Sequence, residues 1–189
     1  AEIIGEDSEE ILGTKAILSD VARLTLEGDH LQLRREVMAG VETGGRVSRE
    51  FELGAQVDLA QALFFEHIFS GDEERAQTQH LKEATDLNET ASQAADAELG
   101  HMHPVTIKAR GLTNSMAFHR SMKTLDYEGI EPSYQQYLDD CRQVFGPDHI
   151  ITAGAATTLG VIHIMTTGDN EYAKQLLTEA LEIYRNAGG

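Results

Sequence analysis

The sequence predicts an all-α fold, an α-solenoid of about four antiparallel helix pairs. Three observations carry this. Pro occurs three times and Trp not at all, while Ala, Leu, Glu and Gln, all good helix formers, are plentiful. Apolar residues recur at spacings of three and four, most clearly at Tyr172, Ala173, Leu176, Leu177, Ala180, Leu181 and Tyr184, which makes one stripe along a helix. A phrase also repeats: "ELGHMHPVT" at 98–106 and "VFGPDHIIT" at 144–152 share Gly, then His three residues on, then Thr three after that. Gly100, His103 and Thr106 thus return as Gly146, His149 and Thr152, a step of 46 residues.

The step extends towards the N-terminus. Gly54 stands 46 residues before Gly100, and Gly5 stands 49 before Gly54. An apolar residue (Ile4, Leu53, Leu99 or Phe145) precedes each Gly. This frame divides the chain into repeats at about 5–53, 54–99, 100–145 and 146–189. Such a period marks an array in which a unit buries its apolar face only against its neighbour.

Each repeat reads as helix, turn, helix. The first gives "SEEILGTKAILSDVARLTL", the turn "EGDH", and "LQLRREVMAGVETGGRVSREFEL", where Gly44-Gly45 marks a bend or break. The second gives "VDLAQALFFEHIF", the turn "SGDEE" and a long helix over 75–99, whose acidic start suits the positive end of the helix dipole. The third gives a helix over 106–125, the turn "DYEGIEP", and "SYQQYLDDCRQVF", with Pro132 fitting the first turn. The fourth runs from about 149 to 166, breaks at "TTGDNE" where Gly and Asn tolerate left-handed turns, and resumes in "EYAKQLLTEALEIY".

The chain of 189 residues carries 32 acidic against 15 basic residues, a formal net charge of −17. That balance argues against nucleic acid and acidic membrane surfaces and favours a partner with basic patches, or simply solvated helix faces. No apolar run approaches the ~18 residues that would suggest a membrane span, and no signal peptide is visible. Cys141 is the sole cysteine, so no intrachain disulfide forms; a reducing, cytoplasmic setting is the expectation. The chain starts at Ala1 rather than Met, as a fragment or a processed product would.

The run "TLGVIHIMTTGDNEYAKQLLTEALEIY" (158–184) resembles a tetratricopeptide repeat through Leu159, Gly160, His163, Gly168, Ala173, Leu177 and Ala180. His163 stands where the family has an aromatic residue, and the turn is one residue longer. "LGHMHPVT" and "FGPDHIIT" are similar to the linker of the long-period repeats found in kinesin light chains. The resemblance covers 99–189 well and 1–98 less well; arrays of the HEAT or armadillo type share this range of period. It implies a curved superhelix with a groove lined by first helices, onto which Arg23, Phe65, Lys108, Ser115 and Thr157 would face. Asn114 falls where related repeats use Asn to hold a peptide backbone.

The leading expectation is a non-catalytic scaffold for a peptide, a helix, or neighbouring subunits of a larger assembly or homo-oligomer. The final stripe, including Leu177 and Leu181, has no following repeat to cover it, so partner binding is expected there too. Neither a cofactor nor a metal is expected. His101, His103, His119 and His163 invite a metal reading, but His103 and His149 suit caps of first helices, and His163 a core position. Glu27 and His30 have a di-iron spacing that falls across a predicted turn. Cys141, beside Asp139 and Asp140, reads as an inert thiol. No Gly-x-Ser-x-Gly, Walker loop or dinucleotide fingerprint is present. The alternatives are a metal-dependent helical-bundle enzyme and a peptide-sensing regulatory domain.

Overall fold

Short polar residues set the helix starts in the computed structural model, which describes residues 8–25, 29–43, 47–69, 74–127, 129–167 and 170–187, the side chains of 21–25 and 74–77 excepted. Among the described residues there are eight α-helices and no strand. The chain divides into two compact units that meet in sequence at Leu99 and Gly100.

The first unit holds α1 (Glu9–Thr25), α2 (His30–Glu42), α3 (Arg49–Phe69) and α4 (Glu74–Glu98). The Asp29 side chain accepts from the Gln32 N–H at 2.8 Å, and the Ser48 hydroxyl oxygen accepts from the Phe51 N–H at 3.2 Å. Each satisfies an otherwise orphan donor at a helix start. The helices pack in chain order, each on the next. On α4, Ala84, Asn88, Ala91 and Ala95 form the buried side at helical spacing. α3, which packs on α4 and on α2, buries Leu53, Val57, Ala60 and Leu63. Burying one such Leu contributes about 1.5–3 kcal/mol.

Arg34 ties three of these helices. It is 5% exposed, and its guanidinium reaches Asp20 of α1 at 2.6 Å and Asp58 of α3 at 3.2 Å. A planar fork with several donors can serve two carboxylates at once, and the pairing makes burial of the cation tolerable.

The second unit holds α5 (Pro104–Thr124), α6 (Ile130–Val144), α7 (Ile150–Thr166) and α8 (Asn170–Ala187), again packed in chain order. Ile107, Leu138, Cys141, Leu159 and Ile162 are fully buried, with Leu176, Ala180 and Ile183 closing the core from α8. Within each unit, consecutive helix pairs stack as in an α-solenoid.

The repeated phrase has one geometry in both copies. Gly100 and Gly146 adopt φ of 101° and 95°, a left-handed region where a side chain is strained. The His103 and His149 Nδ1 atoms accept from the N–H groups of Val105 and Ile151 at 3.3 and 3.1 Å, capping α5 and α7. Pro104 takes the first helical position, where no N–H is needed.

The N-terminal frame is corrected. Gly54 lies inside the second turn of α3 and not at a seam. The helix expected over 31–53 ends at Glu42, and residues 49–53 open the next helix instead. Ser48 supplies the cap that restarts the chain there. Gly5, Glu27 and Gly44-Gly45 lie outside the described residues.

Candidate partner-binding surface

On α5, two of the polar residues expected to face a partner are committed within the unit. Asn114 is 7% exposed. Its Nδ2 donates to the Ser133 carbonyl at 3.3 Å, and its Oδ1 accepts from the Ser133 hydroxyl at 3.0 Å. Both ends of the amide thus fasten α5 to the start of α6, which corrects the expectation that it holds a peptide backbone. Half-buried Ser115 donates to the Gly111 carbonyl at 2.9 Å and accepts from the Tyr134 hydroxyl at 3.4 Å. Thr157, half-buried on α7, donates to the Ala153 carbonyl at 2.8 Å. Lys108 is exposed, two turns before Ser115 on the same side of α5.

Phe65 belongs to the first unit, where it is half-buried and stacks on Phe69 with centroids 5.9 Å apart. Phe69 is 75% exposed. The Arg23 side chain lies outside the described residues.

The remaining polar groups of the second unit build its interior. Arg110 of α5 pairs with Asp140 of α6, which is 5% exposed and also accepts from Gln136 at 2.8 Å. His101 and its carbonyl lie against the other side of the Arg110 guanidinium. Sequence reading missed this pair; the i, i+4 placement of Gln136 and Asp140 on a helix was its one local trace. Burial pushes the Cys141 thiol up to about 11, with the Asp140 charge a lesser cause in the same direction. Burial is thus the main reason for the inertness expected of this thiol. His163 is 7% exposed, stands edge-on to Tyr172 with centroids 4.7 Å apart, and lies 3.6 Å from Glu131. In the first unit His30 meets Glu66 at 3.0 Å. Among the described residues no three His, Cys, Asp or Glu side chains converge to hold a metal ion.

Leu177 and Leu181 come together in an open groove of about 290 Å³ between α7 and α8. Leu177 is half-buried because Gly160 leaves it room: a Cβ on Gly160 would stand 3.1 Å from the Leu177 Cγ. Leu181 is 47% exposed, as is Ile164 of α7, and Lys174 and Thr178 complete the exposed side of α8. Ile164 was not singled out from sequence, although it sits on the α7 stripe one turn after Gly160.

A tetratricopeptide-repeat family model matches residues 108–186. This segment, most of the second unit, is similar to tetratricopeptide repeats, which generally mediate protein–protein interaction. No curated protein matches the chain. Among the described residues no helix is long and apolar enough to cross a membrane.

Proposed function

We propose that the second unit is a non-catalytic protein-docking module and that its α7–α8 groove receives a helix of a protein partner. The observation that carries this reading is the exposed apolar wall of Leu181 and Ile164 beside half-buried Leu177. Closing that wall removes apolar surface from water at about 25 cal/mol per Å². Several polar residues of this unit have structural duties: His103 and His149 cap helices, Asn114 holds Ser133, and Arg110 neutralises Asp140. The net charge of −17 favours a partner with basic groups, whether a separate protein or a neighbouring subunit of an assembly.

A photo-crosslinking residue at Thr178 tests this. A discrete protein adduct should form there in the native extract and disappear when Leu181→Asp is added. The same crosslinker at exposed Thr85 of α4 should not give it. Identical adducts at both positions, or an adduct indifferent to Leu181→Asp, would refute the reading.

A further inference from the structure

Helix α1 carries an exposed side that matches the α7–α8 groove in both apolar content and charge. It buries Leu12 and Ser19, two turns apart on one side, and packs on α2. On the opposite side stand Glu10, Thr14 and Ile17, spaced by four and three residues, with Leu18 next to Ile17. Ile17 is 66% exposed and Leu18 52%, so two large aliphatic side chains lie together in water. Carboxylates flank them. Glu10 is exposed two turns before Ile17, and Asp20 follows Leu18 by two residues. Asp20 meets Arg34, yet its side chain stays 53% exposed.

The α8 wall has the same plan with the opposite sign. Lys174, Leu177, Leu181 and Arg185 are spaced by three, four and four residues, while Ala173, Leu176, Ala180 and Ile183 take the buried side. Lys174 and Arg185 are both exposed. Lys174 lines the groove, and Arg185 stands one turn past Leu181, beyond the lining. No carboxylate is among the described residues that line the groove. A helix covering it therefore needs an anionic group to meet Lys174, because covering an ammonium without a partner is costly. Lys174 and Arg185 are 11 residues apart, about 16 Å along the helix, and Glu10 and Asp20 are 10 apart, about 15 Å. Each face carries one sign at both ends, so the charges match in either helix direction.

Resting on the docking role proposed above, we infer that the helix received by the groove is α1 of a second copy of this chain. Ile17 and Leu18 cover Leu177, Leu181 and Ile164, and Glu10 and Asp20 meet the two cations. The contact is heterologous: one copy gives its α1 face and the other its groove. Two chains of charge −17 repel at a distance, so the contact is expected at about 0.15 M salt, where screening confines that repulsion to about 8 Å.

Sedimentation velocity on the full chain tests this. At about 0.15 M salt the average mass should rise with concentration above that of one chain. Ile17→Asp spoils one face and Leu181→Asp the other, so each variant alone should stay monomeric. Mixed, the two should form a one-to-one dimer, because the Ile17 variant keeps its groove and the Leu181 variant keeps its α1 face. That recovery also shows that both variants are folded. Glu10→Lys should weaken association by about three-fold or more, the size of one exposed ion pair turned repulsive. A wild-type chain that is monomeric throughout, a mixture that stays monomeric, or a Glu10→Lys protein of unchanged affinity would each overturn the inference. A monomeric wild-type chain that still gives the Thr178 adduct with another protein would overturn only the identity of the occupant. Loss of that adduct as well would remove the docking role with it.

Discussion

The Thr152 hydroxyl donates to the Gly146 carbonyl at 2.7 Å, and Thr106 repeats the bond to Gly100 at 2.9 Å. Each bond closes a seam of seven residues: a left-handed glycine turns the chain, a histidine caps the next helix, and the threonine returns to the glycine carbonyl. Thr152 is fully buried, so its removal leaves that carbonyl without its donor. Thr152→Val should therefore cost about 1–2 kcal/mol despite its similar volume, whereas Thr152→Ser should recover most of the loss. Urea denaturation of the three proteins decides; equal midpoints for wild type and the Val variant would show the bond to be idle.

Gly111 marks the closest approach of α5 and α6. A Cβ there would run into the ring and hydroxyl of Tyr137, which is buried and edge-on to Tyr134. In an open helix Gly→Ala would stabilise by about 1 kcal/mol. Here overpacking, at about 1–3 kcal/mol, should outweigh that gain. We expect Gly111→Ala to lower the melting temperature and Gly111→Ala/Tyr137→Phe to recover part of the loss.

The second unit was legible in the sequence because its seams demand particular residue types. Only Gly suits φ near 100°, so Gly100 and Gly146 stand out at a fixed spacing, with His and Thr following at set distances. Gly54 shares the spacing without the demand: it lies in helical backbone, and its place in the frame misplaced the first boundary. The Leu177 and Leu181 stripe was readable from its three- and four-residue spacing. The fate of Asn114 was not, because whether an amide faces a partner or Ser133 depends on the crossing of two helices, which periodicity does not encode.

Alkali should weaken the second unit. Burial pushes Tyr134 up to about 12 and Cys141 up to about 11, and it raises Tyr137 as well. In the unfolded chain these groups ionise near their ordinary values, about 8.5 for Cys and 10 for Tyr. As pH rises past those values the unfolded state binds fewer protons than the folded one, so stability falls with pH. It is fully present below the unfolded values and is lost towards the raised, folded ones. The urea midpoint should decline from about pH 8.5 upward, and Cys141→Ala/Tyr134→Phe should flatten the decline. A midpoint independent of pH through that window would contradict burial as the cause.

Arg34 offers the corresponding test in the first unit. Arg34→Met keeps the aliphatic stem but removes the cation that joins Asp20 and Asp58 across α1, α2 and α3. Losing charge-assisted bonds at a site only 5% exposed should cost about 2–3 kcal/mol. Arg34→Lys should restore less than half, because a point charge cannot reach both carboxylates as a planar fork does. Hydrogen exchange on α2 would report the loss; unchanged protection in the Met variant would mean the fork holds nothing.

Leu177 and Leu181 differ in what they touch, and the same substitution should separate them. Leu177 fills the space beside Gly160, so Leu177→Asp puts a carboxylate into the α7–α8 contact and should cost about 2–3 kcal/mol. Leu181 is 47% exposed, and Leu181→Asp should change stability by no more than about 0.5 kcal/mol. If the groove is a docking site, the Leu181 variant keeps its fold and loses its partner, while the Leu177 variant loses both. Thermal melts run beside the Thr178 crosslinking assay make the comparison. A Leu181→Asp protein that melts as early as Leu177→Asp would assign Leu181 to the core of the unit and leave the groove without its exposed wall.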